Sequence, residues 1–153
     1  MIDIVALKSE ITTDPLAFGY APLVAGGNDG AVAALLNDRA KGRMRVVTPT
    51  MINARTLMAQ LGASVGATVL DKLDAARARN PAVKWAFSFI TSAEGIDVGH
   101  AQTRGMLDAL AAAGVLTAAE RDAVKALASF ACSRAEELFG SAVDHLDVAK
   151  ARA

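Results

Sequence analysis

Residues of the types that commonly carry chemistry are sparse in this chain, and one group of them has helical spacing. Glu94, Asp97 and His100 follow one another at three-residue steps. On one continuous helix they would present two carboxylates and an imidazole on the same side, a set that could bind a metal ion. Gly95 interrupts such a helix, and zinc would need more histidine or cysteine than the chain offers. We therefore predict no metal site, with Asp97 capping a helix and His100 in its first turn.

The single cysteine is the other candidate for catalysis. Cys132 could act as a thiol nucleophile with His100 or His145 as its base. It follows an apolar stretch that is typical of a helix end, so a small buried residue is the favoured interpretation. The glycine-rich turn at 26–30 lacks the Gly-Lys-Ser/Thr ending of a phosphate loop. We expect no catalytic residue, no cofactor and no enzymatic activity.

Size and composition place further bounds on function. The chain has 153 residues, of which 53% are hydrophobic, and its 16 basic residues balance its 16 acidic ones. A neutral chain has no general attraction for nucleic acid or a membrane surface. The longest weakly polar run, 57–70, is too short to span a bilayer, and its Gly62-x-x-x-Gly66 spacing indicates close helix packing or a helix break. We expect a soluble protein without a signal peptide or a membrane partner.

Helix start signals recur along the chain. A helix start is indicated by a capping aspartate, asparagine or threonine, alone or before a proline, and by a hydroxyl followed three residues later by glutamate. The start signals are Asp3, Asn28 or Asp29, Thr48-Pro49, Asn80-Pro81, Asp97, Thr117 with Glu120, Ser133 with Glu136, and Asp144, whereas Asp14-Pro15 predicts one short turn. They predict an all-α fold: a single compact domain over 1–153 of about seven or eight short helices, one of them spanning 117–131. At most one short segment, "RMRVV" at 43–47, is expected to be extended.

The aromatic residues near the middle of the chain favour a core position. Trp85 and Phe89 lie four residues apart and can share one helix face, while Phe87 points elsewhere. We predict that Trp85 and Phe89 belong to a buried aromatic cluster.

The stretch "DPLAFGYAPL" at 14–23 places large apolar side chains between two prolines. Leu16, Phe18, Tyr20 and Leu23 offer more apolar surface than so short a segment can bury alone. The N-terminal segment 1–25 is therefore predicted either to clamp across the helical core or to dock on a neighbouring subunit. Its role is packing rather than chemistry.

A second candidate interaction surface is basic. Arg39, Lys41, Arg43 and Arg45 occupy every second position, so an extended backbone would project all four from one side. Such a ridge could be a solvated loop, could contact an acidic protein partner, or could contact phosphates. The absence of interleaved aromatic residues and of net positive charge counts against nucleic acid.

Both ends of the chain resemble a family of small phage-encoded proteins. The opening "LKSEITTDPLAFGYAPL" is similar to that family's Leu-Lys-x-Glu start followed by Asp-Pro-Leu and Gly-Tyr, and "CSRAEELFGSAVDHLDVAKARA" is similar to its closing Ser-Arg-Ala-x-Glu-Leu and final Ala-Arg helix. The match covers roughly a third of the chain. It implies a phage protein made with the structural genes and without known catalytic residues.

The resemblance, with the lack of a catalytic pattern, implies a non-catalytic virion structural or assembly protein, in the head, the head–tail junction or the tail. Its expected partners are other virion proteins and copies of itself, and its expected location is the virion, with the host cytoplasm during assembly. The alternative is a small helical DNA-binding or regulatory phage protein that uses the basic segment 39–45.

Overall fold

The chain is mostly helical, with four short strands. A computed structural model describes all 153 residues. In chain order the elements are α1 (Ile4–Thr13), α2 (Tyr20–Ala25), α3 (Asp29–Asn37), a 3-10 turn (Arg39–Lys41), β1 (Arg43–Val46), β2 (Met51–Ile52), α4 (Ala54–Leu61), α5 (Ala63–Arg77), α6 (Pro81–Thr91), β3 (Ile96–Asp97), α7 (Ala101–Ala112), α8 (Ala118–Ala126), β4 (Ser129–Cys132), α9 (Arg134–Phe139) and α10 (His145–Arg152). None of the ten helices combines the length and the apolar character that crossing a bilayer requires.

The extended segment predicted at 43–47 is confirmed as β1, but it is not the only one. β1 pairs with β4, and β2 pairs antiparallel with β3, so two small sheets interrupt the helices. The expectation of at most one extended segment and of seven or eight helices is therefore wrong. Strands of two to four residues carry almost no periodicity, and only their partners stabilise them.

Two compact units make up the chain. Unit 1 is Met1–Arg45 with Ala131–Ala153, and unit 2 is Val46–Phe130. Unit 1 is thus built from both ends of the chain, whereas unit 2 is one continuous stretch. The prediction that residues 1–153 form a single domain stays a prediction.

Unit 1 has a helical core of its own. α1 packs against α2 and α10, and α3 packs against α2, α9 and α10. Its buried residues are Leu7, Ile11, Tyr20, Val32, Ala33, Leu36, Ala135, Val143, Val148 and Ala151. The apolar residues of α3 at helical spacing provide the centre of this core.

Unit 2 has a second core, in which α5 packs against both α4 and α6, and α7 packs against α8. A Cβ atom at Gly66 would lie 2.7 Å from the Met58 Cα, so only glycine allows this approach of α4 and α5. The close packing predicted for Gly66 is confirmed, and Gly62 with its φ of 83° separates the two helices. The buried residues are Ile52, Leu57, Val69, Leu73, Val83, Ile90, Val98, Leu107, Leu110, Leu116, Val124 and Ala128.

Most helix starts lie where the sequence predicts them. Side-chain caps are present at Asp3, Asn28, Asn80, Thr117, Ser133 and Asp144. The capping boxes of Thr117 with Glu120 and of Ser133 with Glu136 both form. These starts are predictable because each cap bonds only to amides within the next three residues.

Two of the predicted starts are wrong. Thr48-Pro49 precedes β2 rather than a helix, and α4 begins after Asn53. Asp97 lies in β3, where hydrogen bonds from the Thr48 hydroxyl and from backbone amides hold its pKa below the usual range. His100 caps α7 instead, since its Nδ1 accepts a hydrogen bond from the N–H of Gln102.

The structure also corrects the predicted position of the aromatic cluster. Trp85 and Phe89 on α6 are 64% and 50% exposed, whereas Phe87 packs against the core of unit 2. Val83 and Ile90 share the buried side of α6 with Phe87, at the spacing of one helix face. Because these three residues already fill the core side, Trp85 and Phe89 point outwards.

The predicted helix over 117–131 is shorter than expected. It ends at Ala126, and the chain continues as β4, in which Cys132 is buried. The interpretation of Cys132 as a small buried residue is confirmed, although it lies in a strand.

The Ser133 capping box provides a test of the local fold. Ser133→Ala should lower the free energy of unfolding by about 1 kcal/mol, because the Glu136 amide loses its acceptor. Urea denaturation followed by circular dichroism measures the change. Ser141→Ala, at an exposed position, is the matched control and should change stability by less than about 0.5 kcal/mol. A neutral Ser133→Ala would show that this box does not stabilise α9.

Candidate functional site

The predicted N-terminal docking residues lie after the end of α1, in the turn that leads into α2 and in α2 itself. Asp14 ends α1 in a left-handed conformation, and its carboxylate accepts hydrogen bonds from the backbone amides of Phe18, Gly19 and Tyr20 at 2.7–3.2 Å. These bonds fold the chain back between α1 and α2. The short turn predicted at Asp14-Pro15 is confirmed, since the Ala17 amide donates a hydrogen bond to the Asp14 carbonyl at 2.9 Å.

The reversal places Tyr20 inside unit 1. Its side chain is 0% exposed, and the Phe18 ring meets it edge-on with centroids 6.0 Å apart. Phe18 and Leu23 are half-buried against the same core, and Leu16 is half-buried too. Because Tyr20 has no accessible surface, its predicted docking role is wrong, and the alternative of a segment that clamps the core is favoured.

The basic segment does not form the predicted ridge. Arg39 and Lys41 lie in the 3-10 turn, and only Arg43 and Arg45 lie on β1. A ridge with all four cations on one side requires an extended backbone throughout, so this prediction is wrong.

Three of these four cations have partners within unit 1. Arg39 pairs with Glu136, Arg43 donates to Glu137 with Nε 2.7 Å from Oε2, and Lys41 lies 5.2 Å from the Phe18 ring centroid. Arg45 has no ion pair. Cations held in this way are poorly placed to contact phosphates, which counts against the DNA-binding alternative.

A buried ion-pair network lies beside this segment. The Arg134 guanidinium donates to both oxygens of Glu10 at 2.7 and 2.8 Å and to Glu137 at 2.8 Å. Glu10 is 5% exposed and the Arg134 side chain 12%. The hydrogen bonds from Arg43 and Arg134 lower the pKa of Glu137 to about 2, and those from Arg39 and the Ser133 amide lower the pKa of Glu136 to about 2.

The network has the chemistry of a structural element. Because their pKa values are lowered, Glu136 and Glu137 are ionised at neutral pH, and neither is poised to take up a proton. Burial, with the nearby carboxylates of Glu10 and Asp14, raises the pKa of the Tyr20 phenol, which therefore stays protonated. The arrangement fixes unit 1 rather than performing a reaction.

The residues considered for metal binding or nucleophilic catalysis do not come together. Glu94 is exposed in a bend, Asp97 binds loop amides, and His100 caps α7. No group of three or more histidine, cysteine, aspartate or glutamate side chains has the arrangement of a metal site. Cys132 is buried, and His145 is the exposed first residue of α10.

An exposed aromatic surface on α6 is the feature that the sequence analysis missed. It consists of Trp85 and Phe89, one helical turn apart, with the Lys84 ammonium 5.9 Å from the Trp85 ring centroid. We call these three residues the α6 face. The helical spacing of Val83, Phe87 and Ile90 is the signal that could have located it, because that set leaves Trp85 and Phe89 on the opposite side.

Comparisons with protein-family models, with curated proteins and with solved structures find no match to this chain. The resemblance of the two chain ends to a phage protein family therefore stays a prediction.

The buried hydroxyl of Tyr20 gives a direct test of its position. This hydroxyl has no hydrogen-bond partner within the protein. Tyr20→Phe should therefore leave the free energy of unfolding unchanged or raise it slightly. Tyr20→Ala should lower it by about 3–5 kcal/mol, because a large core ring is lost. Chemical denaturation measures both, and a stable Tyr20→Ala protein would contradict the core position.

The lowered pKa of Glu137 predicts a loss of stability in acid. Ionised Glu137 stabilises the folded state above its ordinary pKa of 4.5, and this contribution is lost as pH falls towards about 2. Glu137→Gln should thus be less stable than the native chain at pH 7, with a difference that shrinks as pH approaches 2. Urea denaturation at a series of pH values measures it. Glu94→Gln, at an exposed carboxylate, is the control and should show no such trend.

Proposed function

We propose that this protein is a non-catalytic structural or assembly protein of a bacteriophage particle, a component of its head, head–tail junction or tail. It acts through protein–protein contacts, including contacts with copies of itself. The observation that carries this proposal is the α6 face, where two large aromatic rings lie exposed one helical turn apart.

Exposed aromatic pairs of this kind are typical of interaction surfaces. Trp and Tyr are enriched among the residues that dominate binding energy, and the core of an interface is enriched in all three aromatic types. The chain has only one tryptophan, and folding leaves most of it in water. A partner that covers Trp85 and Phe89 would remove apolar area that the fold itself does not bury.

The resemblance at the two chain ends supports the assignment to a phage particle. Residues of both matching stretches have structural roles in unit 1: Asp14 reverses the chain, and Arg134 joins Glu10 to Glu137. These roles need no reacting group. They agree with a protein whose characteristic residues maintain a scaffold.

Mass spectrometry of gradient-purified particles of the encoding phage tests this proposal. We expect the chain in the particles at a fixed stoichiometric copy number, and Trp85→Ala should reduce its incorporation while leaving its helical content unchanged. Leu146→Ala is the matched control, because Leu146 is also exposed but lies on α10. A chain that is absent from the particles, or that is retained on DNA in a salt-dependent manner, would overturn the proposal.

A further inference from the structure

A groove on the surface of unit 2 lies between α5 and α7. Its volume is about 470 Å³, which is within the range of small-molecule sites. Apart from Lys72, Arg79 and Asn80, all the residues that line it are apolar. A groove of this size and lining suits a ligand that is itself largely apolar.

The two cations of the groove differ in their bonding. The Lys72 ammonium donates to both carboxylate oxygens of Glu120 at 2.7 and 2.8 Å. Arg79, which follows α5 by two residues, is exposed and has no ion pair within the chain. Asn80 beside it caps α6 through its Oδ1, so its amide N–H groups are free to donate. The Arg79 end of the groove therefore has free donors for an anion, whereas the Lys72 end has none.

A small apolar cavity lies behind the groove. Its volume is about 30 Å³, and Thr103 is the only polar residue that lines it. Met106 and Leu110 line both the cavity and the groove, so they form the wall between the two. Because a methionine side chain is unbranched and has three rotatable bonds, Met106 can shift and admit part of an apolar ligand.

We propose that the groove between α5 and α7 binds a straight-chain carboxylate of medium length, with its carboxylate at Arg79 and Asn80. The alkyl chain lies along Met106 and Ala109. A guanidinium group matches a carboxylate because it offers two parallel N–H donors. Lys72 and Arg79 are about two helical turns apart, roughly 10 Å at the helical rise, so the groove suits an extended chain such as that of decanoate.

This inference goes beyond the proposed function and does not depend on it. A chain that is absent from phage particles would overturn the proposed function and leave the groove unaffected.

Isothermal titration calorimetry of the full chain with decanoate measures the binding. We expect saturable binding of one decanoate per chain. Decyltrimethylammonium has the same alkyl chain with a cationic head, and it should bind at least about tenfold more weakly because its head cannot accept the Arg79 hydrogen bonds. Equal binding of the two amphiphiles, or no saturable binding of decanoate, overturns the inference.

Substitutions with matched controls locate the site. Arg79→Gln should weaken decanoate binding at least about tenfold, whereas Arg55→Gln, at an exposed arginine of unit 2 outside the groove, should have no effect. Ala109→Leu fills the groove and should abolish binding, whereas Ala112→Leu, at an exposed position of α7 outside the groove, should not. Circular dichroism checks that the variants remain folded. Binding that is insensitive to both Arg79→Gln and Ala109→Leu takes place elsewhere, and the inference is then wrong.

Met106→Ala tests the path of the alkyl chain. The shorter side chain joins the groove to the cavity behind it, so this variant should prefer longer chains than the native protein does. Titration with octanoate, decanoate and dodecanoate measures the preference. An unchanged preference would show that the alkyl chain does not pass Met106, contrary to the inference.

Vesicles of phosphatidylglycerol and phosphatidylcholine distinguish a free carboxylate from a membrane surface. The native chain should stay in the supernatant when such vesicles are sedimented. Co-sedimentation that Arg79→Gln abolishes would show that the groove binds lipid in a bilayer, and the inference of a free ligand would be wrong.

Discussion

The buried ion pair between Arg134 and Glu10 is the constraint on which unit 1 depends. It joins α1 near the start of the chain to α9 near its end, and both side chains are almost fully buried. Removing either partner would leave an uncompensated charge in the interior, which is strongly destabilising. The ion pair therefore fixes the position of one segment of unit 1 against the other. Without one segment, the buried charge of the other has no partner.

The same network explains why the basic segment does not form the predicted ridge. Glu136 and Glu137 lie in the first turn of α9, where the helix amino end favours negative charge, and they accept hydrogen bonds from Arg39 and Arg43. Arg39 and Arg43, which were predicted to belong to an interaction surface, thus stabilise the folded chain. Their alternating spacing in the sequence is typical of an interaction surface. In the folded chain they instead form ion pairs within the protein.

For two aromatic residues, Tyr20 and Trp85, the observed burial is the reverse of what the sequence predicted. Tyr20, expected on an interaction surface, is in the core because Asp14 bonds three successive amides and turns the chain inwards. Trp85, expected in the core, is exposed because Val83 and Ile90 already occupy the buried side of α6. The candidate interaction surface therefore lies on α6 in unit 2, and the proposed assembly role rests on it.

The sequence by itself determined the helical character and most helix starts. Caps such as Asn80 and Ser133 are readable because each bonds only to its own first turn. The short strands and the ion-pair partners of Arg39 and Arg43 were decided by tertiary structure. Glu136 lies 97 residues from Arg39, and Glu10 lies 124 residues from Arg134. No local pattern specifies such a pairing, because it forms only when packing brings the two distant segments together.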